Sequence, residues 1–172
     1  LNYRLFNPVL PSVIKQYIQD IITIKDNKTF VSDGNTLYRI DLNGSSISYK
    51  TVLTVPDNVI ISICRFKEGV LASLSNGELV YLNDNGTRTP VRIERKGKFF
   101  KYLSYGSSDD LWMIEEGARE IINLKSDLSV KRYDVSHCPI EAYSIIYSNA
   151  KNEIFAAGTA AKIELIKLDP KK

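Results

Sequence analysis

Laid on itself at a shift of 42 positions with no gap, the chain places apolar residues in the same phase four times over. Ile21, Ile63, Tyr105 and Tyr147 form one column, and Phe30, Ala72, Ile114 and Ala156 a second. Leu37, Leu79, Ile121 and Ile163 form a third, and Ile40, Leu82, Leu124 and Ile166 a fourth. Near-matching columns lie beside them, such as Thr29, Leu71, Met113 and Phe155. A period of this length marks a supersecondary unit that cannot bury its own faces and stacks on copies of itself. Turn residues fall between the columns. Asn43-Gly44 and Asn85-Gly86 share one phase, while Asp33-Gly34 and Asn76-Gly77 supply the positive φ that tight hairpins need.

Between these turns the runs are rich in β-branched and aromatic residues and too short for helices. Residues 21–24, 29–32, 36–41 and 48–54 read as four successive antiparallel strands, a, b, c and d. A four-stranded meander recurring about every 40 to 50 residues is the pattern of a β-propeller blade. A β-sandwich also has regularly spaced strands, but it has no reason to repeat at 42. The expectation is therefore an all-β chain, a β-propeller of four-stranded blades of 42 residues, with four blades here that form a ring or part of a larger one. The divisions are an N-terminal segment at 1–16 and blades at 17–58, 59–100, 101–142 and 143–172. The last copy holds strands a, b and c at 143–147, 153–157 and 162–168 but no d. Residues 2–6 or 9–13 are expected to supply that strand and remove an unpaired edge.

Composition fits a folded chain, with 44% hydrophobic and 25% charged residues, 9 Gly and 6 Pro. These values lie near globular averages and exclude a disordered, collagen-like or coiled-coil chain. Cys64 and Cys138 are far apart and in no C-x-x-C pair, which points to a reducing compartment, cytoplasmic or nuclear. The greasiest stretch, 59–64, is strand-sized, so no membrane segment is expected.

The chemistry-bearing residues are sparse. One histidine, His137, and two separated cysteines leave no cluster with metal-ligand spacing. None of H-E-x-x-H, G-x-S-x-G, G-x-x-x-x-G-K-[ST] or G-x-G-x-x-G occurs. No catalytic residue, cofactor or metal is assigned, and the chain is expected not to be an enzyme. His137 and Cys138, adjacent on an extended segment, point to opposite faces and make no dyad. Asp109-Asp110 and Glu115-Glu116 bracket strand b of the third copy and read as turn formers on a solvated rim. Trp112, the sole tryptophan, reads as packing between blades.

One charge asymmetry is local. Residues 88–101, RTPVRIERKGKFFK, carry Arg88, Arg92, Arg95, Lys96, Lys98 and Lys101 against Glu94, a net of +5. The whole chain carries +3, so the remainder sums to −2 and the basicity is one patch. Strand d of the second blade and the loop after it hold the patch, with Val91 and Ile93 inward, Arg92 and Glu94 outward, and the charges on the ring's outer rim. Long Lys and Arg side chains on an outer edge strand discourage edge-to-edge pairing, which accounts for the patch first; an acidic protein partner is the other reading, and nucleic acid is not expected. Reversing Arg92, Lys96 and Lys98 together is expected to leave the fold intact.

Residues 143–168, YSIIYSNAKNEIFAAGTAAKIELIKL, resemble a WD-repeat blade in their aromatic-Ser end to strand a, Ala-Gly-Thr end to strand b and alternating strand c. Residues 30–44, FVSDGNTLYRIDLNG, and 109–117, DDLWMIEEG, resemble blades from the periplasmic sensor region of hybrid two-component regulators, through Leu37-Tyr38-Arg39 and Leu111-Trp112. The first resemblance implies a non-enzymatic scaffold for protein–protein interaction. The second implies a periplasmic sensor with a small molecule at the central funnel, and stands as the alternative.

Overall fold

Short strands joined by turns that demand positive φ make hairpins, and here the hairpins add into meanders. The computed structural model describes residues 18–24, 28–43, 46–107, 110–136, 143–148, 153–159 and 163–168. Every element among them is a strand. The first sheet holds β1 (Ile18–Thr23), β2 (Lys28–Asp33), β3 (Thr36–Asn43) and β4 (Ser46–Thr54). The second holds β5 (Ile60–Phe66), β6 (Gly69–Leu74), β7 (Leu79–Leu82) and β8 (Arg88–Val91). The third holds β9 (Phe100–Ser107), β10 (Asp110–Glu115), β11 (Glu120–Lys125) and β12 (Val130–Asp134). The fourth holds β13 (Tyr143–Ser148), β14 (Glu153–Thr159) and β15 (Ile163–Leu168). Each sheet is antiparallel in chain order, as the meander pattern predicts. Residues 2–13, expected to close the ring, lie outside the described residues, as do His137, Cys138 and Gly44.

Turn chemistry acts where the pattern places it. At the b–c turn of the second sheet Gly77 has φ 85°, and its N–H donates to the Leu74 carbonyl at 2.8 Å. Beside it the Asn76 side-chain oxygen accepts the Glu78 N–H at 3.0 Å, an Asx turn.

The sheets stack face to face. Phe30, Leu37 and Leu53 of the first sheet pack on Ile63, Val70, Ala72 and Leu82 of the second. The opposite face of the second sheet, with Cys64, Phe66, Leu71, Leu79 and Val91, packs on Phe100, Leu103, Leu111, Met113, Ile122 and Leu124 of the third. A sheet covered on both sides needs apolar residues at every position, and all of β6 is buried. Full burial of Val70, Leu71 or Leu74 contributes about 1.5–3 kcal/mol each.

Two column residues depart from the repeat. Ile21 is 55% exposed, although Ile63 in the same column is buried. This column faces the preceding sheet, and among the described residues no sheet precedes the first. The second departure is a register slip. Ile22 pairs with Phe30, but Ile63 pairs with Ala72. Three residues separate Ile24 from Lys28, and two separate Phe66 from Gly69. One residue fewer in the turn reverses every side chain of strand b. Phe30 thus faces the following sheet and Ala72 the preceding one, within the same packed layer.

Candidate functional site

The first strands of successive sheets lie side by side, β1 against β5, β5 against β9 and β9 against β13. They line a common axis, while β4, β8 and β12 are the opposite edges of their sheets. On this inner side opens a cavity of about 380 Å³, walled by Gln19 and Asp20 of β1, Ile61 and Ser62 of β5, and Lys101, Tyr102, Leu103 and Ser104 of β9.

A polar chain joins the three strands. Asp20 Oδ2 accepts from the Ser62 hydroxyl at 3.2 Å and from the Ile63 N–H at 3.1 Å, and Oδ1 accepts the Ile21 N–H at 3.0 Å. Ser62 Oγ in turn accepts the Leu103 N–H at 3.3 Å. Asp20, Ser62 and Ser104 stand one period apart in the sequence. That polar column was legible, but a search for apolar columns alone passes over it.

Tyr102 is the unusual member. Trp112 pairs with Ser104 and Ile114 with Lys101, so Tyr102 and Leu103 together oppose Met113 in a β-bulge. There Tyr102 takes φ 53° and is 43% exposed. Lys67 and Leu128 also have positive φ, but they occupy hairpin turns between strands.

The basic patch does not stay together. Lys101 belongs to the cavity wall rather than the outer rim, since it lies on the innermost strand of its sheet. Its ammonium pairs with Glu116 and sits 5.2 Å from the centre of the Tyr102 ring. Arg95 donates to the carbonyls of Asn76 at 2.7 Å and Lys98 at 3.1 Å. Lys96 pairs with Glu120 at 2.7 Å, and Arg88 reaches the Val52 carbonyl at 3.4 Å. Among the described residues no hydrogen bond or ion pair holds the Arg92 or Lys98 side chain, and both residues are exposed. Val91 is buried and Ile93 half-buried, as alternation predicts.

The acidic doublet at 115–116 departs further from the sequence expectation. Glu115 is not on a solvated rim: it is fully buried. Its Oε1 accepts the N–H groups of Lys96 and Gly97, both at 2.7 Å, and its Oε2 accepts from Arg132 at 3.1 Å. Arg132 also donates to Glu120 at 2.7 Å and to the Glu94 carbonyl. Gly97 is required here because a Cβ would run into the Glu116 carbonyl. The basic linker thus carries donors that a buried carboxylate gathers in, which charge counting along the chain does not reveal.

Trp112 is buried, and its ring lies tilted against Tyr133 of the same sheet at 5.5 Å between centres, a contact within the blade rather than the expected one between blades. Burial pushes the Cys64 thiol up to about 12, with the nearby Asp20 charge adding to the effect. Among the described residues no three His, Cys, Asp or Glu side chains gather in a metal-binding group, and no helix is long and apolar enough to cross a membrane.

No family model matches the chain, and no curated protein matches it by sequence. Solved structures match its fold. A catalytically inactive variant of virginiamycin B lyase from Staphylococcus aureus, determined with quinupristin, aligns with TM-score 0.67 and 14% identity over 90% of this chain and 56% of that one. The extracellular domain of a hybrid two-component system from B. thetaiotaomicron aligns with TM-score 0.65 and 12% identity over 91% of this chain and 20% of that one. A chain of the mitotic checkpoint complex aligns with TM-score 0.63 and 11% identity over 88% of this chain and 46% of that one. The chain spans about half the length of the lyase structures it matches. These neighbours are β-propellers, among them enzymes, members of protein complexes and a sensor domain. The shared feature is the stack of four-stranded meanders around a common axis: the chain is built of β-propeller blades.

Proposed function

We propose that the chain is a binding module of a β-propeller, recognising a small molecule at the axial cavity as a sensor does. The observation that carries this is the cavity itself, about 380 Å³ with walls from three successive blades. That volume lies in the range of small-molecule sites, and its floor is stapled through Asp20 and Ser62 into a rigid frame. Binding rather than turnover is supported by the state of two acids, the half-buried Asp20 of the cavity wall and the buried Glu115. Asp20 and Glu115 have their oxygens committed to backbone N–H groups, a hydroxyl and Arg132.

A thermal-shift screen against a panel of small metabolites tests this, with wild type beside Gln19→Trp, which fills the cavity mouth from an exposed position. At least one compound is expected to raise the melting temperature of wild type and to lose that effect in the variant. A panel without such a compound overturns the cavity as the site.

Arg92 and Lys98 favour a second reading, a scaffold for an acidic protein partner. Among the described residues no hydrogen bond or ion pair holds these two exposed cations, and their linker is held in place by Glu115 and Arg95. Arg92→Glu with Lys98→Glu is then expected to weaken an acidic partner while leaving the melting temperature unchanged.

A further inference from the structure

We infer that Tyr102 is the specificity-determining residue of the axial cavity and that the cavity rejects anions and takes a ligand with a flat aromatic or conjugated face. This rests on the cavity being the binding site.

The wall offers no free cation. Asp20 and Lys101 are its charged members. Lys101 is paired with Glu116, whereas Asp20, held by two N–H groups and a hydroxyl, keeps its negative charge. A carboxylate entering the cavity therefore gives up its water without finding a free cation and meets the Asp20 charge, and desolvating an unpaired ion is costly. A ligand without negative charge has no such cost.

The uncommitted groups are neutral ones. Among the described residues no hydrogen bond occupies the side chains of Gln19 and Ser104 or the Tyr102 hydroxyl. Together they offer donors and acceptors to the edge of a polar molecule.

The Tyr102 ring supplies the flat contact. A tyrosine gains nothing locally from positive φ, a conformation that strains any residue with a Cβ. Strain of this kind persists where neighbouring structure over-determines it, and it clusters at binding sites. Here the bulge opposite Met113 imposes it and leaves the ring exposed at the cavity wall, with Lys101 against it. A face exposed at the wall is open to offset stacking with a planar ligand.

Benzamide, benzoate and benzamidinium share size and ring and differ in charge, so they serve as probes. Their dissociation constants are measured by protein-observed NMR titration on wild type, Tyr102→Phe and Tyr102→Ala. Benzamide and benzamidinium are each expected to bind more tightly than benzoate, with shifts at Gln19, Tyr102 and Ser104. Tyr102→Ala is expected to weaken benzamide binding by about fivefold, and Tyr102→Phe, which keeps the ring, to weaken it less. Unchanged melting temperature in both variants shows that the fold is kept. Benzoate binding as tight as that of either other probe, or benzamide binding that Tyr102→Ala leaves unchanged, overturns the inference and leaves the cavity as a site. If none of the three probes shifts the wall residues, the inference and the cavity reading fall together.

Discussion

Glu115 has its carboxylate held by groups from outside its own strand: two N–H groups of the linker before β9 and the guanidinium of Arg132 on β12. A buried anion in that position is stable because its donors are fixed in place, and removing the cation strands it. Arg132→Met is expected to destabilise the protein by about 3–5 kcal/mol, read by urea denaturation. A loss within the scatter of surface substitutions, about 0.5 kcal/mol, would show that the linker N–H groups alone satisfy the acid. The neighbouring Glu120 adds a pH dependence. The hydrogen bond from Lys96, aided by Arg132, holds its carboxyl below the ordinary value of 4.5. A depressed folded pKa contributes stability above the unfolded value and loses it as pH falls through the folded one. Stability is therefore expected to decline with acid below about pH 4.5, and Lys96→Met to flatten that decline in denaturation midpoints taken across pH.

Strand and turn positions were largely legible, because hairpin turns and apolar alternation are local properties. The third and fourth columns hold: Leu37, Leu79 and Ile121 are buried, as are Ile40, Leu82 and Leu124. Orientation was less legible. A sheet buried on both faces accepts an apolar residue in either direction, so the slip that turns Ala72 away from the Phe30 direction leaves no trace in the hydropathy. In β1 the two directions differ in consequence. Ile22 packs against the core shared by the first two sheets, and Ile21 is exposed. Ile22→Ser is expected to cost at least about 2 kcal/mol and Ile21→Ser less than about 0.5 kcal/mol, compared by thermal or urea unfolding. The reverse order would place β1 one residue out of register. The site was illegible for a related reason. Lys101 and Lys96 are neighbours in a basic run, yet the step from linker to β9 sends one to the axis and the other to Glu120. Acidic partners for both come from β10, β11 and the turn between them, which no local spacing rule connects to the run.

Stacked blades form a one-dimensional array in which each sheet touches its neighbours, so stability divides into terms for sheets and terms for the interfaces between them. Leu37 belongs to the layer between the first and second sheets. Leu71 and Met113 belong to the layer between the second and third. All three are fully buried, and truncating any of them to Ala is expected to cost about 2–5 kcal/mol. What separates them is coupling. Leu71 and Met113 lie in one buried cluster, so Leu71→Ala with Met113→Ala is expected to depart from additivity by at least about 0.5 kcal/mol. Leu37→Ala with Met113→Ala removes side chains on opposite sides of the second sheet, and their costs are expected to add within about 0.5 kcal/mol. Urea denaturation of the singles and both doubles gives the two coupling energies from one reference state. Equal coupling for both pairs would mean that the second sheet transmits strain between its faces and that the blades act as one core. A coupling confined to the shared layer would make each interface an independent unit, the property that keeps the axial cavity's shape insensitive to changes at the outer edges.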